Sequence, residues 1–283
     1  MCDQDHEQER MEYEAKGLVT RKQFGVMVGA GIAMLLPQVA NAVTVTDADV
    51  NIKTPDGTCD AYFVHPATGT APGVLIWPDI FGLRSAMKTM AKRLAESGYS
   101  VVVVNPFYRS QKGLANGVAS APIAQMMPLA QALNETTHMT DAKAFVAWLD
   151  QQASVAKNRK MGTQGYCMGG PMALRTAVAS DRVGAVASFH GGGLVANGAN
   201  SPHLQASKTK ASFLFAIAES DDKTRPTDKD VLKQTFADAK LSAEVEVYGA
   251  AHGWCPPDST VYNEPLAEKA WARLLALYGK ALA

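Results

Sequence analysis

The chain has 283 residues, 47% hydrophobic and 19% charged, and its 27 basic side chains balance 27 acidic ones. That composition fits a globular chain and excludes a disordered one; with no basic excess, long basic tract or nucleic-acid motif, it also argues against a nucleic-acid partner. No repeat of solenoid period and no low-complexity linker divides it, so one domain is expected after the N-terminal leader.

Residues 1–16 carry six acidic and two basic side chains and no apolar stripe, and are expected to be disordered. Thr20-Arg21-Lys22-Gln23-Phe24 then leads into the apolar stretch Gly25 to Leu36, which is short against the roughly 20 residues a bilayer span needs. Pro37 and Ala40-Asn41-Ala42 follow, completing the basic, apolar, small-x-small order of a secretory signal peptide with cleavage expected after Ala42. Arg21-Lys22 resembles a twin-arginine signal with lysine at the second position. The expected division is 1–42 as leader and 43–283 as a single domain. The mature chain would be periplasmic or secreted, with no stable membrane anchor, as a monomer or small homo-oligomer. The alternatives are an uncleaved N-terminal anchor or a cytoplasmic location.

From residue 43 strand and helix signals alternate. Val50-Asn51-Ile52-Lys53 and Ala61-Tyr62-Phe63-Val64 predict an antiparallel start. Val74-Leu75-Ile76-Trp77 and Val101 to Val104 are continuous apolar runs, as buried parallel strands tend to be. Met87 to Glu96 between them has helical spacing and is closed by Gly98. Pro122 to Leu133 and Asp141 to Gln152 predict further helices. Lys160 to Gln164 is a short strand candidate, poor in β-branched residues, and Met172 to Ala179 reads as helix with Pro171 at its first turn. Ala211 to Ala218 and Glu244 to Tyr248 are strands, the first followed by Glu219-Ser220-Asp221-Asp222 as a polar loop. Glu264 to Leu282 closes the chain as an amphipathic helix whose Trp271, Leu274, Leu275 and Tyr278 pack on the sheet. Such alternation predicts an α/β fold: a mostly parallel central sheet with helices on both faces.

Between the strand at Lys160 and the helix at Met172 stands Gly165-Tyr166-Cys167-Met168-Gly169-Gly170, the G-x-nucleophile-x-G elbow with cysteine in the usual place of serine. An elbow exposes its central side chain above the sheet and aims the positive end of a helix dipole at any developing anion. Taken alone, Cys167 could equally be an inert buried hydrophobe in a glycine turn. Partners decide. Elbow enzymes place acid and then histidine after later strands, and here Asp221 and Asp222 follow one strand and His252 the next. The histidine would take the thiol proton, and the carboxylate would fix its tautomer. Either aspartate could serve, and adjacent aspartates often only shape a turn. Among the other histidines, His6, His65, His138 and His203 rank low, whereas His190, ending the run Val183 to Phe189 before three glycines, is expected to be a pocket wall.

With these residues the chain resembles the dienelactone hydrolase family, the Cys-His-Asp branch of the α/β-hydrolases. Trp77-Pro78-Asp79-Ile80-Phe81-Gly82-Leu83 resembles the family's acid-Ile-Phe-Gly loop, and Asn105-Pro106-Phe107-Tyr108-Arg109 its segment after the next strand. The likeness runs from about Val43 to the C-terminus. It implies an α/β-hydrolase fold and hydrolysis of a small ester or lactone through Cys167 as nucleophile, His252 as base and Asp221 as orienting acid, with no cofactor and no metal. It also implies an oxyanion hole from the backbone N–H groups of Ile80 and Met168, and a substrate-binding set of Asp79, Phe81, Tyr108, Arg109 and Trp254, with Arg109 on the substrate carboxylate. Two positions depart from the pattern. The family's loop acid, which holds the resting thiol, is a glutamate where this chain has Asp79. A second carboxylate-binding arginine after the histidine is replaced here by Gly253-Trp254-Cys255-Pro256-Pro257.

Other readings use the same residues. One is a ligand-binding or sensor protein that keeps the elbow without catalysis; another is a metal or redox site built from Cys167, His252 and Cys255. Cleavage after Ala42 would remove Cys2 and leave Cys59, Cys167 and Cys255, of which Cys59 and Cys255 could pair in an oxidising compartment.

Overall fold

The computed structural model of the protein describes residues 36–112 and 123–283. The acidic stretch and nearly all of the apolar leader segment lie outside the described residues, as does Pro122. Among the described residues no helix is long and apolar enough to cross a membrane.

Eight strands form one sheet: β1 (Val45–Thr54), β2 (Gly57–Pro66), β3 (Gly73–Trp77), β4 (Ser100–Val104), β5 (Met161–Tyr166), β6 (Val183–Phe189), β7 (Ser212–Ala218) and β8 (Ala243–Tyr248). Their spatial order is β1-β2-β4-β3-β5-β6-β7-β8, with β1 and β2 antiparallel and every pairing from β4 to β8 parallel. The β1–β2 register sets Val50 opposite Ala61 and Ile52 opposite Cys59, the antiparallel start expected from the sequence. Every residue of β3 and β4 is buried, which explains why both read as unbroken apolar runs: side chains of alternate parity enter different cores. Leu75, Trp77, Val102 and Val104 join one hydrophobic cluster, whereas Val74, Ile76, Val101 and Val103 join the other.

Helices cover both faces. On the first, α3 (Glu135–Gln151), α4 (Gly169–Ala179) and α6 (Asp228–Asp238) contribute Phe145, Leu149, Leu174, Leu232 and Phe236 to the core. On the second, α1 (Ser85–Glu96) and α7 (Glu264–Ala281) contribute Met87, Leu94, Leu274 and Tyr278. The short α2 (Ile123–Gln131) precedes α3, and α5 (Glu219–Thr224) follows β7 directly. At about 25 cal/mol per Å² of apolar surface removed from water, these two cores supply the main drive for folding.

Two local expectations change, and one helix is added. The polar loop expected at Glu219 to Asp222 is the first turn of α5, where three acidic side chains complement the positive end of the helix. Helix α6 carried no signal strong enough to be noticed in a polar, lysine-rich segment; only Leu232 and Phe236 of it are buried. Cys59 and Cys255 form no disulfide: both thiols are free, and they belong to the clusters on opposite faces of the sheet.

Candidate active site

The carboxyl ends of the parallel strands share one edge of the sheet, and the elbow rises from its centre. Between β5 and α4, Cys167 takes a φ of 52°, in the left-handed region that costs a non-glycine residue about 1–3 kcal/mol. Its surroundings hold it there. The Cys167 N–H donates to the Phe189 carbonyl at 3.1 Å, and its own carbonyl accepts from Gly170 at 3.1 Å and from Gly192 at 3.3 Å. Glycine is needed on both sides: a Cβ on Gly165 would collide with the Gly169 carbonyl, and one on Gly169 with the carbonyls of Trp77 and Pro78. Within β5 the first contact accounts for Gly165, and the Tyr278 ring, 2.8 Å from where a Cβ would stand, accounts for Gly162. The contacts at Gly169 press the elbow against the end of β3. Met168 caps α4 at its first turn, and Ile80 lies three residues past the end of β3, the strand beside β5.

The later strands bring in the partners. His252, after β8, has Nδ1 at 2.9 and 3.0 Å from the two carboxylate oxygens of Asp221, and its backbone N–H donates to Ser220 Oγ at 2.9 Å. With Nδ1 so engaged, Nε2 is left for the Cys167 sulfur, to which the ring is hydrogen-bonded. Asp222 points elsewhere, accepting both of its 2.8 Å contacts from Lys229 Nζ. Burial works against the charged imidazole, but the Cys167 sulfur and the Asp221 carboxylate together outweigh it and hold His252 well above its ordinary value.

Behind His252 the wall is aromatic. His190 packs edge-on against the His252 ring, centroids 4.9 Å apart, and against Trp254 at 5.2 Å, while Trp254 stacks on Tyr248. His190, expected to line a pocket, is instead buried beneath the His252 ring; burial first, and the neighbouring His252 second, push its value well down, so it stays neutral beside a ring that gains a proton. Trp254 is fully buried, which makes it a support beneath the histidine loop.

Asp79, Tyr108 and Arg109, expected to contact substrate, are each engaged by neighbours within the protein. Asp79 is buried and bidentate to Arg84, at 2.7 and 2.9 Å, and also accepts from the Phe81 N–H. Arg84 reaches on to Asp258 at 2.6 and 2.9 Å. Burial raises the Asp79 carboxyl even though the guanidinium opposes it, and against the burial of Arg84 the two carboxylates hold its charge in turn. Asp79 therefore braces the loop of Ile80 and Phe81, and through Arg84 ties it to the loop that follows His252. Arg109 donates to Asp56 at 2.6 Å and to Asp141 at 2.7 and 2.8 Å, and the Tyr108 hydroxyl meets Thr54 at 2.7 Å and Asp141 at 2.8 Å. Phe81 is half-buried, with Arg84 over its ring.

Sequence reasoning missed Arg84, Asp258 and Ser220. Arg84 and Asp258 are 174 positions apart, a pairing that no local pattern announces. Among the described residues no group of three or more histidine, cysteine or acidic side chains could hold a metal ion.

Comparison with known proteins adds an independent line. The model of the dienelactone hydrolase family matches residues 59–282. A protein of Synechocystis sp. provisionally named carboxymethylenebutenolidase is 26% identical over 222 residues, covering 77% of this chain and 89% of that one. The carboxymethylenebutenolidase of Pseudomonas putida is 29% identical over 147 residues, 51% of this chain and 61% of its own. Among solved structures, a Klebsiella pneumoniae protein provisionally called a dienelactone hydrolase superposes with a TM-score of 0.74 at 20% identity, covering 84% of this chain and 99% of that one, a likeness of fold.

Proposed function

The chain belongs to the dienelactone hydrolase family and is a carboxylic ester or lactone hydrolase, and from that premise we propose that it works through a Cys167–His252–Asp221 triad and a thioester acyl-enzyme. The observation that carries this reading is the continuous chain of contacts from the Cys167 sulfur through the His252 ring to both oxygens of Asp221. Sulfur gives up its proton to His252 Nε2 and attacks the carbonyl carbon, and the carbonyl π electrons move to oxygen. The Met168 and Ile80 N–H groups face that oxyanion and would each contribute about 3 kcal/mol to the transition state. Collapse breaks the bond to the alkoxide, which takes the proton from His252. Water, deprotonated by the same nitrogen, then attacks the thioester and expels the thiolate.

Asp221 is the orienting acid in this scheme, because Asp222 is paired with Lys229. Asp79 is proposed as a brace of the oxyanion loop in place of a partner for the resting thiol, since both of its oxygens are taken by Arg84. The resting partner of Cys167 is then His252. By analogy with relatives named carboxymethylenebutenolidase, the substrate is a small ester or lactone. Export is proposed on the leader sequence alone; a mature chain beginning at Val43 in the periplasmic fraction is the expected result, and full-length protein in the cytoplasm would overturn it.

Turnover of p-nitrophenyl esters and small lactones by the wild type, with loss of at least about 10³-fold in Cys167→Ala and in His252→Ala, is expected. Full activity in either variant would refute the triad; no turnover of any ester, lactone or thioester by the wild type would favour a ligand-binding protein on the same fold.

A further inference from the structure

Beside the elbow, an open cavity of about 490 Å³ lies between the start of α3 and the loop after β6, lined by Asn134, Glu135, Arg175, Gly193, Asn197 and Asn200 among others. It borders the site through backbone. Gly192 donates its N–H to the Cys167 carbonyl at 3.3 Å, and the next residue, Gly193, forms part of the cavity wall. A Cβ on either glycine would meet nothing within 4 Å, so the space is open there.

Arg175 stands six residues beyond Gly169 on α4, roughly 9 Å along the helix axis from the elbow. Its guanidinium reaches across to the start of α3 and to the loop after β6, the two segments that line the cavity. Its hydrogen-bond partners are both uncharged: the His138 Nδ1 at 2.8 Å and the Asn200 carbonyl at 3.2 Å. His138 is held neutral, its value lowered to about 3 by burial first and then by the charges of Arg175 and Arg109. The Nε of Arg175 is buried and has no hydrogen-bond partner among the described residues. Arg84, Arg93, Arg109 and Arg182 each meet a carboxylate, whereas among the described residues Arg175 forms no ion pair. Burial disfavours its charge, and Glu135, on the cavity rim beyond ion-pair range, is what opposes that. A half-buried cation without an anion is costly to keep, and an anionic ligand would remove that cost.

We propose that this cavity is a subsite for the acid end of the substrate, in which Arg175 binds a carboxylate carried on a chain several atoms from the scissile carbonyl, with the amides of Asn134, Asn197 and Asn200 around it. The proposal deepens the hydrolase reading and rests on it.

The test compares two esters of equal length, p-nitrophenyl octanoate and the mono-p-nitrophenyl ester of suberate, which differ by a terminal carboxylate. Hydrogen bonds to charged groups are worth about 1.5–3 kcal/mol, so the ratio of kcat/KM for the anionic to the neutral ester should fall about 10- to 100-fold in Arg175→Gln, mainly through KM. Arg175→Lys should restore part of it, and Glu135→Gln should raise the ratio above that of the wild type. A ratio unchanged in Arg175→Gln overturns the subsite; should that variant fail to fold, an unchanged ratio in both Arg175→Lys and Glu135→Gln does so. If the wild type hydrolyses neither ester, the hydrolase reading has failed separately. The subsite is then read by calorimetric titration with suberate: saturable binding that weakens in Arg175→Lys upholds it, and no binding to the wild type overturns it.

Discussion

Two regions of the sheet's carboxyl edge use similar residues to opposite ends. Around Arg109 and Tyr108 each polar group is answered: Asp141 accepts from both, Asp56 from the arginine, and Thr54 meets the phenol. Around Cys167 and His252 the partners form a line that stops at a half-buried sulfur, with Asp221 steering one ring nitrogen and the sulfur at the other. Charge at an active edge is therefore informative only with its partners. An arginine met by two carboxylates is a rivet, whereas a carboxylate–imidazole–thiol chain ends in a group free to react.

The largest effect expected from breaking this contrast is at the adjacent aspartates. Asp221→Asn should lower kcat/KM on a p-nitrophenyl ester by about 10²- to 10⁴-fold, because the imidazole loses both its tautomer and its counter-charge. Asp222→Asn should stay within a few-fold of the wild type, since Lys229 is its partner. Equal losses in the two variants would erase the distinction.

Arg84→Met comes next. It leaves Asp79 buried without its cation and should destabilise the protein by about 3–5 kcal/mol in urea unfolding, with kcat falling as the loops of Ile80 and His252 come untied. An unchanged midpoint would show that the brace is dispensable. Arg109→Gln is milder, because the pair is partly exposed: a loss of about 1–2 kcal/mol in the same assay, with the ratio between anionic and neutral esters unmoved. A fall in that ratio would make Arg109 a substrate clamp after all.

The smallest effect concerns acid. His138 is lowered from 6.5 to about 3, by burial and then by Arg175 and Arg109, so between those values the unfolded chain binds a proton that the native one does not. Stability should therefore decline as pH falls below 6.5, and less steeply in His138→Gln. His190, also lowered, adds a decline of the same sign that remains in the variant. Parallel pH curves would assign the effect elsewhere.

Much of the architecture was legible because its signals are local. Val74 to Trp77 and Val101 to Val104 announce buried strands by unbroken hydrophobicity, and Gly165, Cys167 and Gly169 announce a turn that only those glycines permit. The order of Asp221 and His252 was also readable, although the choice of Asp221 over Asp222 needed the position of Lys229. What could not be read depends on distant pairs. Asp79 and Arg109 match the family pattern by position, yet Arg84, Asp56 and Asp141 occupy their charges in three dimensions. Cys59 and Cys255 illustrate the same limit, since counting thiols says nothing about which face of a sheet each enters.

Whether Cys167 carries the acyl group is decided by acid-quenching the protein during turnover of a p-nitrophenyl ester and mapping the added mass by peptide. One acyl group per chain on the peptide containing Cys167, cleavable by hydroxylamine and absent in Cys167→Ala, is the predicted result. A modified serine or histidine elsewhere, or sustained turnover in Cys167→Ala, would contradict it.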